Sequence, residues 1–121
     1  MEQDRPILVK DAPILVYATF PSRAEAERIG GRLVDDGLAA CVNILPGMIS
    51  IYVWDGKRQQ DEECAMIIKS RASLAETIIQ TVRDLHPYEN PALVALDVAG
   101  GAPPFLQWIL DQTAAPKDGA P

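Results

Sequence analysis

The stretch Cys41–Ser70, CVNILPGMISIYVWDGKRQQDEECAMIIKS, decides the fold. Its first half carries Ile49, Ile51 and Val53 at odd positions and Met48, Tyr52 and Trp54 at even ones. Successive side chains of a strand point to opposite faces, so these two sets lie on opposite sides of a sheet. Both sets are largely apolar, and both sides need cover. Asp55-Gly56 is a strong hairpin turn signal. Pro46-Gly47 interrupts the first arm, and because proline cannot donate to a ladder, a bend or bulge is expected there. Short helices of the same chain can bury one face of such a sheet. A second copy of the chain is the simplest cover for the other.

Outward from the hairpin, the remaining elements follow in order. Ile14 to Phe20 is a β-branched and aromatic run that suits a buried strand. Ser22-Arg-Ala-Glu25 is a capping box opening a helix with Ala26, Ile29 and Leu33 on one face, and Gly37 suits its end. Gly30 and Gly31 each cost such a helix roughly 1 kcal/mol against alanine, and close packing onto the sheet would be their use. Leu38 to Trp54 and Glu63 to Ser70 are the hairpin arms. Ser73-Leu-Ala-Glu76 reads as a second capping box, for a helix with Ala75, Ile78, Ile79, Val82 and Leu85 inward and Pro87 at its stop. Ala92 to Val98 is a fourth strand, and Pro104 begins a short last helix.

This order gives an α+β fold: a ferredoxin-like β-α-β-β-α-β unit with a long central hairpin and an extra C-terminal helix. Right-handed crossovers place both main helices on one face and leave the opposite face bare. A closed ring of identical subunits would cover it. The chain of 121 residues suits a single domain. Residues 1–12 read as a flexible arm, 13–113 as the domain and 114–121 as a disordered tail.

Composition narrows the function. The balance of 11 basic and 17 acidic residues gives a net charge of −6, with no basic stripe to suit nucleic acid. No run approaches the ~20 apolar residues of a membrane span, and MEQDRP lacks the pattern of a signal peptide, so a cytoplasmic protein is expected. With the turn at Asp55-Gly56, Cys64 is expected opposite about Ile49, which leaves Cys41 roughly 26 Å away. A disulfide needs α-carbons within about 7 Å, so both thiols are expected to be free.

Few residues carry chemistry. His86, the one histidine, lies in His86-Pro87-Tyr88-Glu89 and reads either as a metal ligand or proton carrier, or as a helix-end histidine favoured by the macrodipole. Cys41 reads as a soft ligand for an ion such as Cu(I), or as a small buried hydrophobe. Glu63 and Lys69 share a strand face and read as a polar-ligand pair or as an ordinary solvated pair. Tyr52 and Trp54 suit a pocket wall, a core or an interface. Nucleotide-binding, P-loop, G-x-S-x-G and H-E-x-x-H motifs are absent, and no partner for His86 as a general base is legible, so the chain is not read as an enzyme.

Five blocks together carry a resemblance: Gly37-Leu-Ala-Ala-Cys41-Val-Asn43, Ser50-Ile-Tyr52-Val-Trp54-Asp-Gly56-Lys57, Glu63 through Ile68-Lys69-Ser70, His86-Pro87-Tyr88-Glu89, and Leu106-Gln107-Trp108-Ile109. In order and spacing the chain resembles the CutA divalent-cation tolerance proteins over about residues 14 to 113. That resemblance implies a homotrimer joined through the long hairpins and a link to tolerance of copper and other divalent metals. It implies Cys41 and His86 as metal ligands, with Glu63, Lys69, Tyr88 and Glu89 near a cleft between subunits, where Trp54 also falls. The trimer implied is similar to PII signalling proteins, which gives a second reading: a sensor or scaffold holding a small polar metabolite in that cleft, with Lys69 on its acid. Two departures stand out. Ala102 replaces the family's common Asn before the last helix, and Phe105 replaces its frequent Tyr.

Overall fold

The computed structural model describes residues 11–113. The expected arm lies outside the described residues except for Asp11 and Ala12, and the expected tail at 114–121 lies wholly outside them. Asp11 and Ala12 are tied down: Ala72 donates its amide to the Ala12 carbonyl at 2.7 Å, and Asp11 pairs with Arg71 at 3.0 Å.

Four strands and three helices follow one another as β1 (Pro13–Phe20), α1 (Arg23–Asp35), β2 (Cys41–Trp54), β3 (Lys57–Arg71), α2 (Ala75–Leu85), β4 (Leu93–Asp97) and α3 (Pro103–Gln112). The sheet has the order β2-β3-β1-β4, antiparallel at every pairing. This is the ferredoxin-like arrangement with an added last helix. Strand β3 begins earlier than expected, because polar Lys57–Glu62 pairs rung by rung with the apolar arm of β2.

The core forms where the even residues of β1 and β3 meet α1 and α2. Val16, Ala18, Phe20, Met66 and Ile68 pack against Ala26, Ile29 and Leu33 of α1 and Ile78 and Val82 of α2, all but fully buried. Ser22 caps α1 by accepting the Glu25 amide at 3.2 Å, while the Glu25 side chain turns to Arg28 at 2.7 Å instead of closing the box. Helix α1 ends in a Schellman motif, with Leu38 N–H on the Leu33 carbonyl and Gly37 N–H on that of Val34. Arg28 also reaches the Leu85 carbonyl at 2.9 Å and ties α1 to α2.

Three further expectations are corrected. The Ser73 capping box does not form: one turn of 3₁₀ helix, Ala72–Leu74, precedes α2, and the Ser73 amide and hydroxyl both donate to the Asp11 carboxylate. The face opposite α1 and α2 is not wholly bare, because α3 lies over part of it. There Arg71 donates to the carbonyls of Leu110 and Thr113 and to the Thr113 hydroxyl, and Ile109 is buried. Lastly, Cys64 faces Pro46-Gly47, not Ile49, since the register passes from Leu45↔Ala65 to Met48↔Glu63 across that step. Cys41 pairs with Lys69, five residues along β3 from Cys64. That is roughly 17 Å at 3.3 Å per residue, still too far for a disulfide, and both cysteines are free.

The Pro46-Gly47 step is a bulge, with two residues of β2 opposite one of β3. Gly47 takes φ +80°, a left-handed conformation that glycine adopts without steric cost. One extra residue reverses the alternation of β2. Before the bulge Cys41 and Asn43 share a face with Lys69 and Ile67; after it Met48, Ser50, Tyr52 and Trp54 take over that face, opposite Glu63, Asp61, Gln59 and Lys57.

Candidate functional site

The bulge builds the site. A straight β2 would turn Tyr52 and Trp54 toward the α1–α2 side; the reversal puts them on the face of Glu63 and Thr19 instead. The segment after α2 brings Tyr88, Glu89, Asn90 and Ala92 alongside. Together these residues line an open groove of about 720 Å³. Ser50 donates to Glu63 at 2.7 Å, and the Tyr52 hydroxyl donates to Asp61. That bond, with the negative charge behind it, raises the Tyr52 phenol above its ordinary range. Burial, then the charges of Glu63 and Asp61, raises that of Tyr88. Both rings are therefore neutral at physiological pH, and the groove's charge comes from its carboxylates.

His86 holds one wall of this groove. It follows α2 as an extended residue and is buried. The Tyr88 amide donates to Nδ1 at 3.0 Å. An amide only donates, so Nδ1 must be the acceptor and the proton sits on Nε2, which donates to the Thr19 carbonyl at 2.8 Å. The ring also stacks on Phe20 at 4.9 Å and leans on Tyr88 at 5.0 Å. Both nitrogens are thus engaged within the fold. The ring joins the end of β1 to the loop that carries Tyr88 and Glu89.

Cys41 is half-buried at the start of β2, across from Lys69. Thr19, the anchor of His86, pairs with Ala65, four residues along β3 from Lys69. Cys41 and His86 are therefore separated by about 13 Å along the sheet and by two strand spacings across it. They also sit toward opposite faces, since His86 stacks on Phe20 of the helix side. One chain does not bring them together. Among the described residues no three His, Cys, Asp or Glu side chains gather closely enough to hold a metal ion.

Lys69 is also placed apart from the groove. It shares the face of Glu63 but lies six residues away, about 20 Å, with its ammonium 5.2 Å from the Phe105 ring centroid. Phe105 stacks on Trp108 at 5.8 Å, so the departure at that position touches Lys69 and not the groove. Ala102 makes no side-chain cap, and prolines in the first turn of α3 stand in for one. Of the expected cleft residues, Trp54, Glu63, Tyr88 and Glu89 come together, and Thr19, Tyr52, Asn90 and Ala92 join them. Thr19 was legible: it is a polar residue in an apolar strand, at an odd position that faces away from the helices.

Comparison with known proteins agrees with this architecture. A family model described as CutA1 divalent ion tolerance protein matches residues 14–112. A chloroplastic CutA protein of Arabidopsis thaliana is 42% identical over 100 residues, covering 83% of this chain and 55% of its own length. The chain thus spans little more than half of that plant relative. The divalent-cation tolerance protein CutA of Pectobacterium atrosepticum is 40% identical over 106 residues, covering 88% of this chain and 94% of its own. Among solved structures, CutA1 of Oryza sativa superposes with a TM-score of 0.82 at 40% identity, covering 85% of this chain and 94% of that one. CutA1 of the psychrotrophic Shewanella sp. SIB1 gives 0.83 at 39%, covering 88% and 100%.

Proposed function

The chain belongs to the CutA1 divalent ion tolerance family, and from that premise we propose that it acts in divalent-ion tolerance as a homotrimer with a ligand site in the groove beside the hairpin. The observation that carries this reading is the distal hairpin. Ile49 and Ile51 are exposed on one face and Tyr52 on the other, while Val53 and Trp54 are 70% and 72% exposed. A contiguous apolar surface of this kind on both sides of one element marks an interaction site. Strand β2, 14 residues long, is also a sheet edge among the described residues, and such an edge offers a row of backbone groups to a further chain. A second and third copy joined there would cover both faces and close each groove on its open side.

A second reading is favoured by the half-buried thiol of Cys41, a soft donor suited to copper or a similar ion. With His86 engaged by Thr19 and Tyr88, the remaining ligands would come from a neighbouring copy. The proposal extends to a cytoplasmic location, where Cys41 and Cys64 stay reduced.

Sedimentation velocity at low concentration tests the assembly. A single species at three times the chain mass is expected, and a stable lone chain overturns the reading. Titration with Cu(I) tests the second. Binding lost in Cys41→Ala and kept in Glu63→Gln supports the thiol site; equal binding in wild type and Cys41→Ala removes it.

A further inference from the structure

Taking the groove as the ligand site of that reading, we infer that it is built for a small organic cation carrying N–H donors, a primary ammonium or a guanidinium, and not for an anion or a bare metal ion. Charge argues this first. Glu63 and Glu89 line the groove, and among the described residues no basic side chain does. Lys69, which an acidic ligand would need, lies under Phe105.

The walls argue it next. Tyr52, Trp54 and Tyr88 offer three aromatic rings to one space. An aromatic face attracts a cation, indole most strongly, and the attraction grows as the site excludes water. Tyr88 keeps its proton beside Glu63 and Asp61 and stays a neutral ring.

Thr19 supplies an independent observation. Its residue is only 9% exposed and lines the groove, on the face shared with Ala65 and Glu63. Its carbonyl accepts from His86, but among the described residues its hydroxyl meets no hydrogen-bond partner. A buried hydroxyl without a partner is costly, which points to one supplied from outside. A hydroxyl can donate or accept; with Glu63 and Glu89 lining the same groove, the partner that suits both is a positively charged group whose N–H the hydroxyl oxygen accepts.

Size separates an organic cation from a metal ion. A groove of about 720 Å³ lies within the range of small-molecule sites. A dry divalent ion needs a tight set of oxygen, nitrogen or sulfur ligands, and among the described residues no three His, Cys, Asp or Glu side chains gather to begin one.

The test is an NMR titration of the whole protein, following the Trp54 indole N–H and the Thr19 and Tyr88 amides. Three probes are added separately: putrescine, succinate and Zn²⁺. Putrescine is expected to move these signals saturably, about tenfold more weakly in Glu63→Gln and in Trp54→Ala, and a few-fold more weakly in Thr19→Val. Spectra that otherwise overlay the wild type show that each variant is folded. Putrescine binding that is equal in wild type and Glu63→Gln overturns the assignment. So does movement with succinate alone, or with Zn²⁺ alone, although either leaves the groove as a ligand site. If no probe moves the groove signals, the groove reading falls together with the inference.

Discussion

The imidazole of His86 ties the end of β1 to the segment after α2. Its ring spends Nε2–H on Thr19 and the Nδ1 lone pair on the Tyr88 amide. His86→Ala leaves both backbone groups unpartnered and opens space against Phe20. The expected cost is about 2–4 kcal/mol in metal-free buffer, with faster hydrogen exchange at the Tyr88 amide. Unchanged stability without metal, together with lost copper binding, would return His86 to the role of ligand. Asp11 makes a second prediction at this scale. Burial works against its charge, but the hydroxyl and amide of Ser73 and the guanidinium of Arg71 outweigh it and hold the carboxyl below the ordinary aspartate range. Because the folded value lies below the unfolded one, this clasp contributes fully above about pH 4 and is lost as the pH falls through the folded value. Asp11→Asn is expected to lower stability at pH 7 by about 1 kcal/mol. In thermal melts the gap to wild type should close in acid; a gap that stays constant with pH would mean the carboxylate's charge plays no part.

At the scale of an element, the two adjacent glycines of α1 serve different ends. A methyl on Gly30 would meet Val42 Cγ2 at 3.0 Å and Met66 Cε at 3.1 Å, whereas one on Gly31 meets nothing within 4 Å. Gly30→Ala gains about 1 kcal/mol of helix propensity but makes the Val42 side chain and the fully buried Met66 give way by a few tenths of an ångström in a packed core, for a net loss of about 1 kcal/mol. Gly31→Ala keeps the propensity gain and should stabilise by up to about 1 kcal/mol. Denaturant melts that rank the two the other way would show that α1 does not sit this close to β2 and β3. The pair also shows what a sequence can tell. The cost of a glycine in a helix is local and readable at both positions, but only the packing says which one needs its missing side chain. The Ser22 cap, the turn at Asp55-Gly56 and the bulge at Pro46-Gly47 are local signals, and the structure has each of them. Lys57–Glu62 falls outside the returning arm expected from Glu63 to Ser70, yet it is strand because β2 opposite it dictates the pairing. Ser73 reads as a cap, yet Asp11, 62 residues away, takes both its donors. Glu63 and Lys69 share a face as their spacing requires, but that spacing cannot say that α3 covers one and the α2–β4 loop approaches the other.

At the scale of the molecule, the hairpin poses the sharpest question. Its distal half lies beyond the helices: the partly buried Val42 and Ile44 of β2 pack against the buried cluster, but no residue of that strand past the bulge does. Ile51 pairs with Gln60 and Val53 with Arg58, both on the hairpin itself. Substituting them leaves the core of the subunit untouched, so any large effect must come through another copy. The double variant Ile51→Lys, Val53→Lys is expected to fold and to sediment as a single chain. Burying two lysines in an apolar joint costs far more than the few kcal/mol that separate a stable trimer from a dissociating one. Melting temperature should also fall and no longer rise with protein concentration, since it is association that stabilises the folded state by mass action. The same variant probes the groove, because Tyr52 and Trp54 remain on the opposite face. If the open side of the groove is closed by a neighbour, putrescine binding weakens as the assembly is lost. If binding persists in the lone subunit, the six side chains Thr19, Tyr52, Trp54, Glu63, Tyr88 and Glu89 suffice, and the trimer serves stability alone.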